Sequence, residues 1–213
     1  MVNIITVDGP AGVGKGTVCK LLAKDLDAKV LNSGEIFRTV AYYLKKNKVD
    51  FENSASVINS TELFEYKKIS ANKLYSRDID LISSKISMIP SLRKIIIKIQ
   101  KDFIELNKHR TKTIIAEGRD MGTVNFPKAD VKIFMWAKAE IRAKRRFLQI
   151  NKPLKTEEYN SILQEIVYRD MKDMSRKTAP LKPAKDSYLI DNSNLDIEQC
   201  LNRILKIIKQ TKY

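Results

Sequence analysis

Long apolar runs are missing from this 213-residue chain, and none approaches the roughly 20 residues a helix needs to cross a bilayer. The first eight residues lead straight into a strand pattern, so no signal or transit segment is expected. Cysteine is scarce. Cys19 and Cys200 sit far apart inside predicted helices, without metal-ligand spacing, and read as packed thiols of a reducing, cytoplasmic compartment. The lone histidine, His109, falls in a polar turn and is given no role. Aromatic residues are only 8% of the chain and mostly occupy apolar-stripe positions, not the stacking platforms of a nucleic-acid-binding surface.

What is present describes an ordinary globular protein: 43% hydrophobic and 31% charged residues, enough for one well-cored domain with a small insertion. The formal net charge of +15 suits nucleic acid, an anionic membrane surface or small anionic substrates. The lysines are dispersed through Lys- and Ile-rich segments, so charge alone does not choose among them.

Glycine is sparse too, seven in all, yet Gly9, Gly12, Gly14 and Gly16 fall in one stretch, Gly9-Pro10-Ala11-Gly12-Val13-Gly14-Lys15-Gly16-Thr17. Ile4-Ile5-Thr6-Val7, ending at Asp8, precedes it as a buried strand. Val18, Leu21, Leu22 and Leu26 follow it at helical spacing. Strand, glycine-rich loop and helix form the context of a phosphate cradle, because loop amides and the helix N-terminus converge on an anion. Lys15 adds a cation for the β/γ oxygens, and is expected to be exposed in the loop. Gly16 stands where Ser or Thr usually follows the lysine, with Thr17 next, a variant associated with nucleoside monophosphate kinases.

Further along, residues 28–31 predict a second strand, and Asn32-Ser33-Gly34 caps a helix with Ile36, Val40, Tyr43 and Leu44 inward and Arg38 off the stripe. Residues 45–108 read as a mostly helical insert. Its clearest helix starts at Pro90, with Leu92, Ile95, Ile96, Ile99, Phe103 and Leu106 predicted on one face and Arg93 near the start. Residues 113–116 predict a buried strand ending in Glu117-Gly118-Arg119-Asp120-Met121-Gly122-Thr123, and residues 131–136 another. A basic helix over 139–150 carries Arg142, Arg145 and Arg146. It breaks at 151–156 and is followed by a helix over about 157–176, a strand over 187–190 and a closing helix over 197–209. The alternation predicts an α/β fold: a parallel sheet with helices on both faces, in three layers.

Three groups place arginines where a second anion could sit: Arg38; Arg119 beside Asp120 at a strand's carboxyl end; and Arg169, Asp173 and Arg176, spaced by four and three on one helical face. The run Arg142–Arg146 before the Pro-containing break reads as a lid over about 142–157, or equally as a basic surface helix that touches nothing.

Taken together, Asp8–Thr17, Ser33-Gly34 with Arg38, Pro90 with Arg93, Glu117–Thr123, the Arg142–Arg146 run and Arg169/Asp173/Arg176 before Ala179-Pro180-Leu181 resemble bacterial cytidylate kinases nearly end to end. The resemblance implies a P-loop kinase fold and transfer of the γ-phosphoryl group of ATP to CMP or dCMP, with Mg²⁺. It implies that Gly9 to Thr17 hold the ATP phosphates, with Lys15 central and Thr17 on the metal side. It further implies that Arg38, Arg119 and Arg169 clamp the CMP phosphate, with Arg176 near the transferring group and Asp173 toward the sugar. Ser33, Ser84, Arg93 and Asp120 would surround the cytosine, and Arg142, Arg145 and Arg146 would belong to the lid. The usual Ile-Arg-Thr element of the insert appears here as Leu74-Tyr75-Ser76, and the lid break lacks the expected glycine. A UMP, AMP or shikimate kinase of the same fold and, from another class, a basic nucleic-acid-binding protein are the alternatives. A GTPase is disfavoured, since Asn151-Lys152-Pro153-Leu154 lacks the aspartate of Asn-Lys-x-Asp. The expected state is a monomer acting on small molecules.

Overall fold

The computed structural model describes residues 2–62, 64, 69–148 and 156–211. Its strands are β1 (Asn3–Asp8), β2 (Lys29–Asn32), β3 (Thr113–Gly118), β4 (Val131–Trp136) and β5 (Tyr188–Asp191), in the order β2-β3-β1-β4-β5. β1 pairs in parallel with β3 from Asn3↔Thr113 to Asp8↔Gly118, and with β4 from Ile5↔Val131 to Asp8↔Phe134. Strand β1 is central, and the order reverses on either side of it. Ligands of open α/β sheets collect outside the strand ends at such a reversal.

The chain divides into two compact units, Met1–Val30 with Lys108–Tyr213, and Leu31–Asn107. In the first, Ile5, Val7, Ile115, Ile133 and Met135 of the sheet pack with α1 (Lys15–Asp25) and α9 (Ile197–Gln210). Helix α9 starts with a reciprocal cap: Asp196 Oδ1 accepts from the Gln199 amide, and Gln199 Oε1 accepts from the Asp196 amide. It buries Cys200, Ile204 and Ile208 at four-residue spacing. The other elements of this unit are a turn of π-helix (Met121–Asn125), α7 (Ala139–Leu148) and α8 (Thr156–Met174), with α7 packed on α8.

The second unit holds α2 (Ser33–Lys46), α3 (Ser54–Glu62), α4 (Ala71–Leu74), α5 (Arg77–Ile86) and α6 (Pro90–Asn107), with α2 packed on α5 and α3 on α6. Asn32 caps α2 as expected, its side chain accepting from the Glu35 amide. The inward face of α6 differs from the expected one. It is Leu92, Arg93, Ile96, Gln100 and Ile104, while Leu106 is 72% exposed. Two polar side chains, Arg93 toward the Ser87 carbonyl and Gln100 toward Ser33, have turned inward and rotated the stripe, which a count of apolar residues does not register. The predicted helix and strand bounds are otherwise met within a few residues, except that Arg176 lies past the end of α8. Of the break expected at 151–156, residues 151–155 lie outside the described residues and Thr156 already opens α8.

The tightest packing constraint is Gly9. Its φ is +149°, and a Cβ there would sit 2.2 Å from the Met135 carbonyl oxygen of β4. Gly9→Ala is expected to destabilise the protein by about 1–3 kcal/mol, the usual penalty for overpacking. A lower urea midpoint at unchanged slope is the measurement that checks it.

Candidate active site

The loop between β1 and α1 holds its carbonyls by an unusual set of donors. Lys15 Nζ donates to the Gly9 and Pro10 oxygens at 2.8 and 2.7 Å. Arg142 Nη1 reaches the Ala11 oxygen at 3.0 Å, and Asn192 Nδ2 the Val13 oxygen at 2.8 Å. Gly14 caps α1 with φ +97°, so the helix N-terminus opens directly on the loop. Lys15 is not the exposed lysine expected from the sequence. It is 5% exposed, because its stem folds back under the loop to reach those two carbonyls. Burial, then the charge of Arg119, lowers its pKa to about 7.

Asp8 joins this loop to the next strand's turn. Its carboxylate oxygens accept from the Met121 and Gly122 amides at 2.9 and 2.8 Å. Burial raises its pKa to about 6, against the lowering effect of those two amides. The turn so held presents Arg119 and the buried Asp120, whose carbonyl accepts from the Val124 amide at 2.9 Å. Arg119 Nε donates to Asp173 Oδ2 at 3.0 Å, and Arg176 pairs with the other oxygen. Burial pushes the Asp173 carboxyl up, but Arg119, Arg176 and Arg169 outweigh it and hold it below the ordinary carboxylate value. Ala179 adopts φ +53° and the chain folds back, so that the Leu181 amide donates to the Asp173 carbonyl at 2.8 Å. Lys15, Arg119, Asp173 and Arg176 thus form one electropositive group on a single unit.

The basic helix α7 is not a surface helix that touches nothing. Arg142 is 1% exposed; besides Ala11 it donates through Nε to the Ala137 oxygen (2.8 Å) and pairs with Asp170 (2.5 Å). Arg145 donates to Asn192 Oδ1 and to the Asn192 and Leu195 carbonyls. Both arginines face the protein; of the lid expected over about 142–157, residues 142–148 belong to α7, residues 156–157 open α8, and residues 149–155 lie outside the described residues.

In the second unit, Ser33 Oγ accepts from the buried Gln100 at 2.9 Å. Arg38 Nε donates to Asp80 Oδ1 at 2.8 Å, and its guanidinium lies 4.9 Å from the Tyr75 ring centroid. Tyr75 is the residue that replaces the arginine of the expected Ile-Arg-Thr element. Arg93 is 5% exposed, lies over the Phe37 ring and donates to the Ser87 carbonyl at 3.1 Å. The Ser84 carbonyl accepts from Ser87 Oγ at 2.8 Å.

The family profile for cytidylate kinase matches residues 5–210. A cytidylate kinase of Mycoplasmopsis synoviae is 38% identical over 96% of this chain and 97% of its own. That of Thermosipho melanesiensis is also 38% identical, over 97% and 96%. The chain belongs to the cytidylate kinase family. It is therefore an ATP-dependent nucleoside monophosphate kinase. Among solved structures, a Thermus thermophilus protein aligns with TM-score 0.51 at 19% identity over 98% of this chain and 97% of its own, a likeness of fold alone.

Cytidylate kinase chemistry implies a magnesium ion, and the donors present fit one. Thr17 offers an exposed hydroxyl in the first turn of α1, and a Cβ on Gly16 would lie 3.7 Å from Glu117 Oε1, so a carboxylate flanks the same turn. No group of three His, Cys, Asp or Glu side chains able to hold a metal occurs among the described residues. Magnesium needs none, since it takes most of its oxygens from phosphate and water. Glu117, Asp8, Asp80, Gln100, Ser87, Asp170 and Asn192 carry contacts that the sequence reading did not assign. Asp8 and Glu117 had a visible signal, each as a carboxylate closing an apolar strand.

The lowered Lys15 pKa and raised Asp8 pKa have defined consequences for pH. The stabilising contribution of uncharged Lys15 is present above its ordinary 10.5 and lost as pH falls through about 7. That of protonated Asp8 is present below 3.8 and lost as pH rises through about 6. A polyphosphate beside Lys15 restores its charge. ATP binding at pH 8 is therefore expected to take up a proton, up to about one per site. Calorimetric binding enthalpies that rise with buffer ionisation enthalpy, a dependence lost in Lys15→Met, check this.

Proposed function

We propose that this protein phosphorylates CMP and dCMP with ATP and Mg²⁺ through the residues gathered above. The observation that carries the reading is the joining of Lys15, Arg119, Asp173 and Arg176 into one cationic centre, beside a loop whose Gly9, Pro10, Ala11 and Val13 carbonyls meet side-chain donors. Phosphoryl transfer asks a protein mainly for positioning and charge neutralisation, and this group supplies both. Gly9 to Thr17 hold the ATP phosphates, and Lys15 leaves the Gly9 and Pro10 carbonyls for the β/γ oxygens. Thr17 and Glu117 are the side chains that would hold Mg²⁺, which when bound would supply neutralisation of phosphate charge.

Arg119 and Arg169 clamp the acceptor phosphate, and Arg176 neutralises the transferring group. Asp173 holds Arg119 and Arg176 in orientation, and its free lone pairs accept from the sugar hydroxyls. Arg38, paired with Asp80 and lying over Tyr75, is the further acceptor-phosphate arginine that the resemblance to cytidylate kinases implies. Ser33, Ser84, Arg93 and Asp120 are the base-reading residues that it implies. Arg142 and Arg145 support the ATP side. The protein acts as a cytoplasmic monomer on small molecules, without nucleic acid or membrane; no described helix is long and apolar enough to span a bilayer.

Base selection rests on Asp120. Cytosine presents an exocyclic amino donor and a ring-nitrogen acceptor, and uracil reverses both. A carboxylate accepting from the amino group, with Arg93 donating to the acceptor edge, favours cytosine by roughly 1–3 kcal/mol. Asp120→Asn is expected to lower CMP turnover and narrow the CMP/UMP ratio of kcat/KM, measured by coupled ADP release across the nucleoside monophosphates. If Asp120 only orients its neighbours, both substrates fall together at constant ratio. A wild-type preference for UMP or AMP in the same assay would instead support the alternative kinases.

Arg119→Ala and Arg169→Ala are expected to raise the CMP KM far more than the ATP KM, because each removes a guanidinium fork matched to phosphate. Steady-state kinetics with each substrate varied in turn check the split. Equal effects on both substrates would count against separate anion sites.

A further inference from the structure

We infer that Asn192 and Arg142 are positioning residues that hold the phosphate loop from its outer side and aim its amides at the nucleotide. A trans peptide is planar, so fixing the oxygen of one residue fixes the direction of the next residue's N–H. Arg142 grips the Ala11 oxygen at 3.0 Å and thereby sets the Gly12 amide. Asn192 grips the Val13 oxygen at 2.8 Å and thereby sets the Gly14 amide. Glycines alternate with these gripped residues, and a loop of such backbone freedom needs external restraint to keep one conformation.

Lysine cannot supply that restraint during the reaction. Its ammonium holds the Gly9 and Pro10 oxygens only until a polyphosphate draws it away, whereas Arg142 and Asn192 are both buried and braced from behind. Arg142 is fixed by the Ala137 carbonyl and by Asp170 of α8. Asn192 is fixed by its own amide on the Trp136 carbonyl at 2.8 Å, and by Arg145, which donates to both its side-chain and main-chain oxygens. With Oδ1 occupied by Arg145, Nδ2 is forced toward Val13. A charged donor on the Ala11 oxygen also polarises that peptide and strengthens its N–H as an anion donor.

The arrangement gives Arg142 and Arg145 a role different from direct contact with ATP: they act through the loop and through Asn192. It rests on the reading that Gly9–Thr17 hold the ATP phosphates. The discriminating variant is Asn192→Asp, which keeps the oxygen facing Arg145 and replaces the donor to Val13 by an acceptor.

In the full-length protein, Asn192→Asp is expected to weaken ADP and ATP affinity by about tenfold or more, with the CMP KM within twofold of wild type. In amide NMR spectra, the ADP-induced downfield shift of the Gly14 proton shrinks. Arg142→Lys, which keeps the charge but cannot span three partners, shows the same split with the Gly12 proton affected. Unchanged nucleotide affinity in a folded Asn192→Asp protein overturns the inference, as does an equal loss toward CMP and ATP. Lys15→Met separates the two levels. If it binds ATP as wild type does, the loop reading itself fails; if it loses ATP while Asn192→Asp does not, only the outer clamp fails.

Discussion

A single carboxylate, that of Asp8, joins the two parts of the first unit on which the chemistry depends. It ends the central strand, immediately before the phosphate loop, and both its oxygens accept amides from the turn after β3. The turn's Arg119 then reaches Asp173, and Asp173 reaches Arg176, so loop, turn and the end of α8 share one chain of contacts. An asparagine could not replace it, since its amide nitrogen would face a backbone N–H. The carboxylate is costly to bury, as its raised pKa records, and the two amides offset part of that cost.

The site as a whole concentrates positive charge out of water. Lys15 and Arg142 are almost fully buried, and Arg119 acts directly to disfavour the Lys15 ammonium. Such a cluster is a burden to the empty fold and an asset when a polyanion arrives, because its hydrogen-bond donors are already oriented and desolvated. Arg142 differs from Lys15 in having a carboxylate partner of its own, Asp170, which fixes its guanidinium.

Much of this was legible in the residues. The phosphate loop announces itself by glycine spacing between a β-branched run and a helical stripe, and the strands of the sheet by short apolar runs bounded by turns. The arginines after β3 and on α8 were visible by their place near strand and helix ends. What local pattern could not show was the destination of long polar side chains. Lys15 looked exposed because nothing in its neighbourhood says that it folds under the loop. Arg142 looked like surface charge because its partners, Ala11 and Asp170, are distant in sequence. On α6, Gln100 and Arg93 displaced Leu106 from the interior because each found a buried oxygen, on Ser33 and Ser87 respectively. In each case a polar side chain found a buried oxygen, nearby in sequence for Lys15 and Arg93 and remote for Arg142 and Gln100, that hydrophobic periodicity does not register.

The two thiols lend themselves to a practical use. Cys19 is fully enclosed by α1 and the sheet, and burial holds its thiol far from ionisation; Cys200 on α9 is raised by burial as well. Only thiolates attack maleimides and iodoacetamides at useful rates, so both stay silent while the fold is intact. A cysteine engineered at any exposed position is then the single labelling point, and fluorophores or spin labels can be attached to the natural background without first removing a core side chain.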